Sequence, residues 1–66
     1  MEIIVNGEQR DVAESITIAQ LLEHLGLAGK YVAVEVNRQV VPRARHVGHR
    51  VQAGDTLEIV TLVGGG

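Results

Sequence analysis

The last three residues, Gly64-Gly65-Gly66, are the part of this sequence best suited to chemistry. Consecutive glycines serve no packing purpose, since they stabilise no strand and carry a large entropy cost if ordered. A tail without side chains can thread into a narrow active site on another protein, reaching roughly 10 Å at about 3.3 Å per residue. There the carboxylate of Gly66 is the group that can be activated without steric hindrance. A carboxylate resists nucleophiles until one oxygen becomes a good leaving group, which acyl-adenylation by ATP provides. Attack by a persulfide on such an adenylate leaves sulfur on the carbonyl carbon as a thiocarboxylate. The same glycines are also what a frayed end looks like, and the residues alone leave both readings open.

The absence of cysteine bears on the chemistry. It removes a disulfide framework, a thiolate metal site and a cysteine nucleophile, so any sulfur handled here is carried on something other than a side-chain thiol. Other residue types offer less. His46-x-x-His49 lacks a third ligand candidate nearby. Arg38, Arg43, Arg45 and Arg50 cluster in sequence and form either a solvated face or a contact for an acidic partner surface. Single-stranded nucleic acid is poorly matched, because Tyr31 is the one aromatic residue and the formal net charge is -2. The carboxylates are scattered without a pair placed for general acid–base work, and His24 reads as an exposed helix residue. Neither catalytic residues nor a metal site nor a bound cofactor is expected. No apolar run approaches the ~20 residues of a membrane span, so a cytoplasmic protein without membrane or nucleic-acid contacts is expected.

The elements that must position the tail follow from local pattern. Glu2 to Val5 is largely β-branched and ends at Asn6-Gly7, the strongest short hairpin signal. A return strand is expected over Glu8 to Ala13. Thr17 and Gln20 have capping-box spacing, with Ile16 and Leu21 placed as a hydrophobic staple. Ile18, Leu21, Leu22 and Leu25 then recur at helical spacing, predicting a helix of about ten residues with Gly26 as its left-handed stop. Tyr31 to Asn37 alternates as a strand, and Gln39-Val40-Val41 makes a short one stopped by Pro42. Arg43 to Val51 has no clean period and reads as turns or a short helical turn. Ala53-Gly54-Asp55 turns the chain into a last strand, Thr56 to Val63.

One helix packed on one face of a mixed sheet is the economical way to bury these faces. With the helix as a crossover, the last strand lies parallel to the first in the sheet centre. The expected fold is therefore α+β, a ubiquitin-like β-grasp with a mixed sheet of four to five strands. It divides as a domain over residues 1–63 and a flexible tail over 64–66. At 66 residues the chain holds one small domain that buries about 60% of its unfolded surface. With Ile3, Val5, Leu57 and Ile59 turned to the helix, Ile4, Val60 and Leu62 face away. These three are expected to form one exposed apolar docking patch near the tail.

The chain resembles the ThiS family of sulfur carriers of thiamine biosynthesis over essentially its whole length. The resemblance rests on Ile3-Ile4-Val5-Asn6, the Thr17-Ile18 to Leu25 helix, and the Val36-Asn37 strand end. Val41-Pro42-Arg43, Gly54-Asp55 and the terminal Gly65-Gly66 complete it. It implies that a ThiF-like adenylyltransferase activates Gly66, with Gly64 and Gly65 threading into the partner's active site. A cysteine desulfurase would supply persulfide sulfur, and a ThiG-like thiazole synthase would accept it from the thiocarboxylate. The chain itself would be a carrier, not an enzyme. Gly64 departs slightly from the family, which often has Ala or another small residue there. Three alternatives remain at this point. The small subunit of molybdopterin synthase uses the same tail chemistry but is usually longer and richer in aromatics. The others are a conjugating ubiquitin-like modifier and a β-grasp binding module, such as an RNA-associated domain, without tail chemistry.

Overall fold

Asn6 and Gly7 take φ of 51° and 83°, the positive values a type I′ turn needs, and fold β1 (Glu2–Val5) back on β2 (Glu8–Asp11). The computed structural model describes residues 1 to 62; Val63 and the glycines 64–66 lie outside the described residues. β2 stops at Asp11, two residues before the expected Ala13, because its partner strand runs out. The Val12 amide goes instead to the Met1 carbonyl at 2.8 Å, and the terminal ammonium donates to the Val12 carbonyl at 2.7 Å. All of β2 is exposed and polar, which suits an edge that must not pair with other chains.

The helix α1 (Ile18–His24) begins with both halves of the capping box: the Gln20 amide donates to Thr17 Oγ1 at 3.1 Å, and the Thr17 amide to Gln20 Oε1 at 3.0 Å. It has seven residues against the ten expected. Leu25 is already the C-cap, and Gly26 at φ 74° turns the chain left-handed. The Gly26 amide then returns to Glu23 and the Leu27 amide to Leu22, the double closure of a Schellman end. Leu25 and Leu27 still pack against the core, though outside the helix.

β3 (Val32–Val36) and β4 (Gln39–Val41) form a second hairpin through Asn37 and Arg38, at φ 51° and 69°. Arg38 thus occupies a left-handed position without being glycine. Pro42 ends β4 and opens a 3₁₀ turn over Arg43–Arg45, within the segment expected to form turns or a short helical turn. That segment docks across the start of α1, where the Ile18 and Ala19 amides donate to the His49 and His46 carbonyls at 3.0 Å each. β5 (Thr56–Thr61) closes the sheet, whose order is β2-β1-β5-β3-β4. It lies parallel to β1 and antiparallel to β3, in the middle.

Alternation along the strands turns Ile3, Val5, Val34, Val36, Leu57 and Ile59 toward Ile18, Leu21 and Leu22 of the helix. Each such aliphatic side chain stabilises the fold by about 1.5–3 kcal/mol. Val51 also enters this core, from the aperiodic segment.

Candidate functional site

β5 is the element from which the chain runs on to the tail, and both hairpin turns brace it. β1 ends at Val5, but the Asn6 side chain continues its ladder by imitating a peptide group. Asn6 Oδ1 accepts from the Ile59 amide at 2.8 Å, and Asn6 Nδ2 donates to the Ile59 carbonyl at 3.0 Å. On the other flank Asn37 Oδ1 accepts from the Thr56 amide at 3.0 Å, while Asn37 Nδ2 donates to Asp55 at 3.0 Å. Asp55 also accepts from the Gln52 amide at 2.9 Å, fixing the turn that launches β5. Asn is tolerated in the left-handed region better than other side chains, so one residue type serves the turn and the brace together. The sequence signalled Asn6 as a turn; its bond to a strand 53 residues away had no local signal.

β5 presents Val60 on the face of the sheet away from α1, and Leu62 follows directly after the strand; the two are 55% and 51% exposed. Ala33 lies directly opposite Val60, and exposed Val40 on β4 lies opposite Glu35. Ile4 does not join them, which corrects the single patch expected from the sequence. It is only half-exposed and pairs with Thr56, four residues from Val60 along β5, or about 13 Å at the usual strand rise. Alternation put Ile4 on the right face, but the register of β1 against β5 could not be read from it. Glu35 and Glu58 face each other across β3 and β5 between these two groups.

The last described residue, Leu62, donates its amide to the Tyr31 carbonyl at 2.8 Å. Gly64, Gly65 and Gly66, the residues expected to thread and to react, lie outside the described residues. His46 is buried, its Nε2 3.0 Å from the Val41 carbonyl, so it fastens the 3₁₀ turn to β4. Nothing in the local sequence distinguished it from His49, which is only partly buried. Among the described residues no group of three or more His, Cys, Asp or Glu side chains is placed to hold a metal ion. Arg50 donates to the Ser15 carbonyl at 2.8 Å, a structural use for one of the clustered arginines. No helix among the described residues is long and apolar enough to cross a membrane.

A mixed five-stranded sheet carrying one helix on one face, its central strand leading to the tail, defines a ubiquitin-like β-grasp protein. The crystal structure of a ThiS thiamine biosynthesis protein from Geobacter metallireducens superposes with a TM-score of 0.84 at 38% identity, covering 100% of both chains. The sequence profile of the ThiS family matches residues 3–66, and the chain belongs to that family. The sulfur carrier protein ThiS of Escherichia coli is 33% identical over 100% of both chains. A thiazole synthase of Paramagnetospirillum magneticum is 42% identical over 66 residues, which are all of this chain and 20% of that protein. The chain thus spans only a fifth of that relative's length.

Proposed function

We propose that this chain is a sulfur carrier for thiazole formation in thiamine biosynthesis and that Gly66 is its reacting residue. The observation that carries the reading is a triple-glycine end, free of cysteine, following the central strand of a ThiS-family domain. A Gly66 carboxylate oxygen attacks the α-phosphorus of ATP in a ThiF-like adenylyltransferase, and pyrophosphate leaves. The terminal sulfur of a persulfide, generated by a cysteine desulfurase, attacks the carbonyl carbon and displaces AMP. A partner thiol then cleaves the sulfur–sulfur bond and becomes part of a disulfide, leaving the thiocarboxylate on Gly66. A ThiG-like thiazole synthase accepts that sulfur. The match to two thiazole synthases over the whole length of this chain supports such a partner.

Every catalytic group in this scheme belongs to a partner; the chain contributes a substrate end and a surface. Gly64 and Gly65 let the end pass a narrow channel, and Val60 and Leu62 give the partner an apolar surface at the root of the tail. The family match favours this branch over the molybdopterin one. Intact-mass spectrometry after incubation with the adenylyltransferase, ATP and a sulfur source tests the reading. A mass gain equal to replacing one oxygen by sulfur is expected, and it should vanish when Gly66 is deleted. An unchanged mass with a demonstrably active partner would refute it. If Leu62→Glu leaves partner binding unchanged while the fold survives, the apolar surface has no such role.

A further inference from the structure

Arg43 ends the Val-Pro-Arg run and opens the 3₁₀ turn after Pro42. Its guanidinium carbon lies 5.2 Å from the centroid of the Tyr31 ring. Tyr31 is 66% exposed, so its ring does not fill the core. Its carbonyl holds the Leu62 amide, which puts the stacked pair at the root of the tail. Among the described residues the one ion pair joins the terminal ammonium to Asp11, so Arg43 makes no salt bridge with any of them, although Glu23 borders the same groove. A guanidinium steadied on an aromatic face and left without a salt bridge is pre-ordered for a carboxylate, because few of its rotamers remain to be lost.

The wider charge distribution points the same way. Lys30, Arg38, Arg43, Arg45 and Arg50 are five of the six Lys and Arg residues, and Glu35 is the one acid within that span. Glu2, Glu8, Asp11, Glu14 and Glu23 all precede it, accompanied by Arg10 alone. The strand order carries part of this division into space, with Glu2, Glu8 and Asp11 on the β1–β2 edge and Arg38, Arg43 and Arg45 on the edge of β4 and its 3₁₀ turn, while Glu14 and Glu23 lie beside Arg50 and Lys30. A formal charge of only -2 therefore conceals an uneven distribution of charge between the two sheet edges. Such a distribution orients an approaching partner before contact.

We infer that Arg43, presented by Tyr31, anchors a carboxylate-bearing surface of the protein that takes up the tail. This rests on the sulfur-carrier reading above. Gly66, the reacting residue of that reading, stands four residues beyond Leu62, at most about 14 Å of extended chain, so the partner must close against Leu62 and Tyr31 to receive it. The cation stacked there meets whatever lines the mouth of its channel. A single exposed ring is a poor platform for RNA, which stacks successive bases on several aromatics.

The test uses the full chain with a ThiF-like adenylyltransferase, measuring association by stopped flow at low and at near-physiological ionic strength. Arg43→Glu should slow association about tenfold at low salt and flatten its salt dependence, while the melting temperature confirms an intact fold. Tyr31→Ala should give a smaller loss of the same kind, and Tyr31→Phe none. Arg10→Glu, on the opposite edge, should change little. An unchanged rate in Arg43→Glu, or an equal loss in Arg10→Glu, would overturn the inference. So would a labelled single-stranded oligoribonucleotide whose binding depends on Arg43 while enzyme association does not. Failure of the carrier reading shows separately, as an unchanged mass of the wild-type chain after incubation with ATP and a sulfur source.

Discussion

Replacing Asn6 should destabilise this domain more than its position in an exposed hairpin turn suggests. Its side chain makes two hydrogen bonds to Ile59, at 2.8 and 3.0 Å. Each such bond contributes a net ~0.5–1.5 kcal/mol, and water replaces part of it because the site is only partly buried. Asn6→Ala also leaves a side chain poorly suited to φ 51°, which costs about 1 kcal/mol more. The total is roughly 2–4 kcal/mol, a large share of the ~3–10 kcal/mol expected for a domain of this length. Asn6→Gly loses the bonds but not the conformation, so it should be milder than Asn6→Ala by about 1 kcal/mol. In Asn6→Asp the carboxylate keeps the bond from the Ile59 amide but sets a second oxygen against the Ile59 carbonyl. Protonation restores the donor, so the folded-state pKa at that position rises above the unfolded value of about 3.9. The restored stability is then fully present below that unfolded value and lost as pH rises through the folded one. Urea unfolding followed by far-ultraviolet circular dichroism, at neutral and acid pH, measures all three variants. The reasoning fails if Asn6→Ala costs under about 0.5 kcal/mol, or if alanine and glycine are equivalent.

Other changes probe separate parts of the fold. Arg38→Gly should stabilise by about 0.5–1 kcal/mol, raising the melting temperature by a few degrees, because it relieves a left-handed arginine; a lower melting temperature contradicts this. Thr17→Ala should cost about 1 kcal/mol in urea unfolding. Combining it with Gln20→Ala should cost less than the sum, since the two side chains cap reciprocally. Leu21→Ala, at a position 1% exposed, should cost about 2–5 kcal/mol and leave the domain only marginally folded. A well-folded Leu21→Ala with an unchanged urea midpoint would mean that the helix is not seated as described.

What could be read from sequence was what neighbours along the chain decide. Asn6-Gly7 allows few other turns, and Thr17 with Gln20 needs only the first helical turn to form. The strand over Val32–Val36 follows from alternation alone. The segment from Arg43 to Val51 was opaque because its role is tertiary. It lends the His46 and His49 carbonyls to the helix start and buries Val51, and none of this leaves a period in the sequence. Arg38 was opaque for a related reason, since the β3–β4 pairing imposes its φ of 69° against its own preference. For the proposed site, the glycines stood out in the sequence by type and position, although they lie outside the described residues. The Arg43–Tyr31 pair did not, because the two residues lie twelve apart and meet only once β4 and its 3₁₀ turn are built.

The central place of β5 also decides how the domain bears mechanical load. Its partners are β1 on one side and β3 on the other, with Asn37 fastening its start and Asn6 its middle. A pull along β5 therefore meets β3 over the whole strand and β1 with Asn6 over its first four residues. It loads many hydrogen bonds at once in shear, whereas a tail leaving an edge strand would peel them open singly. In the proposed role, an enzyme drawing on this end would meet a domain that resists as one body.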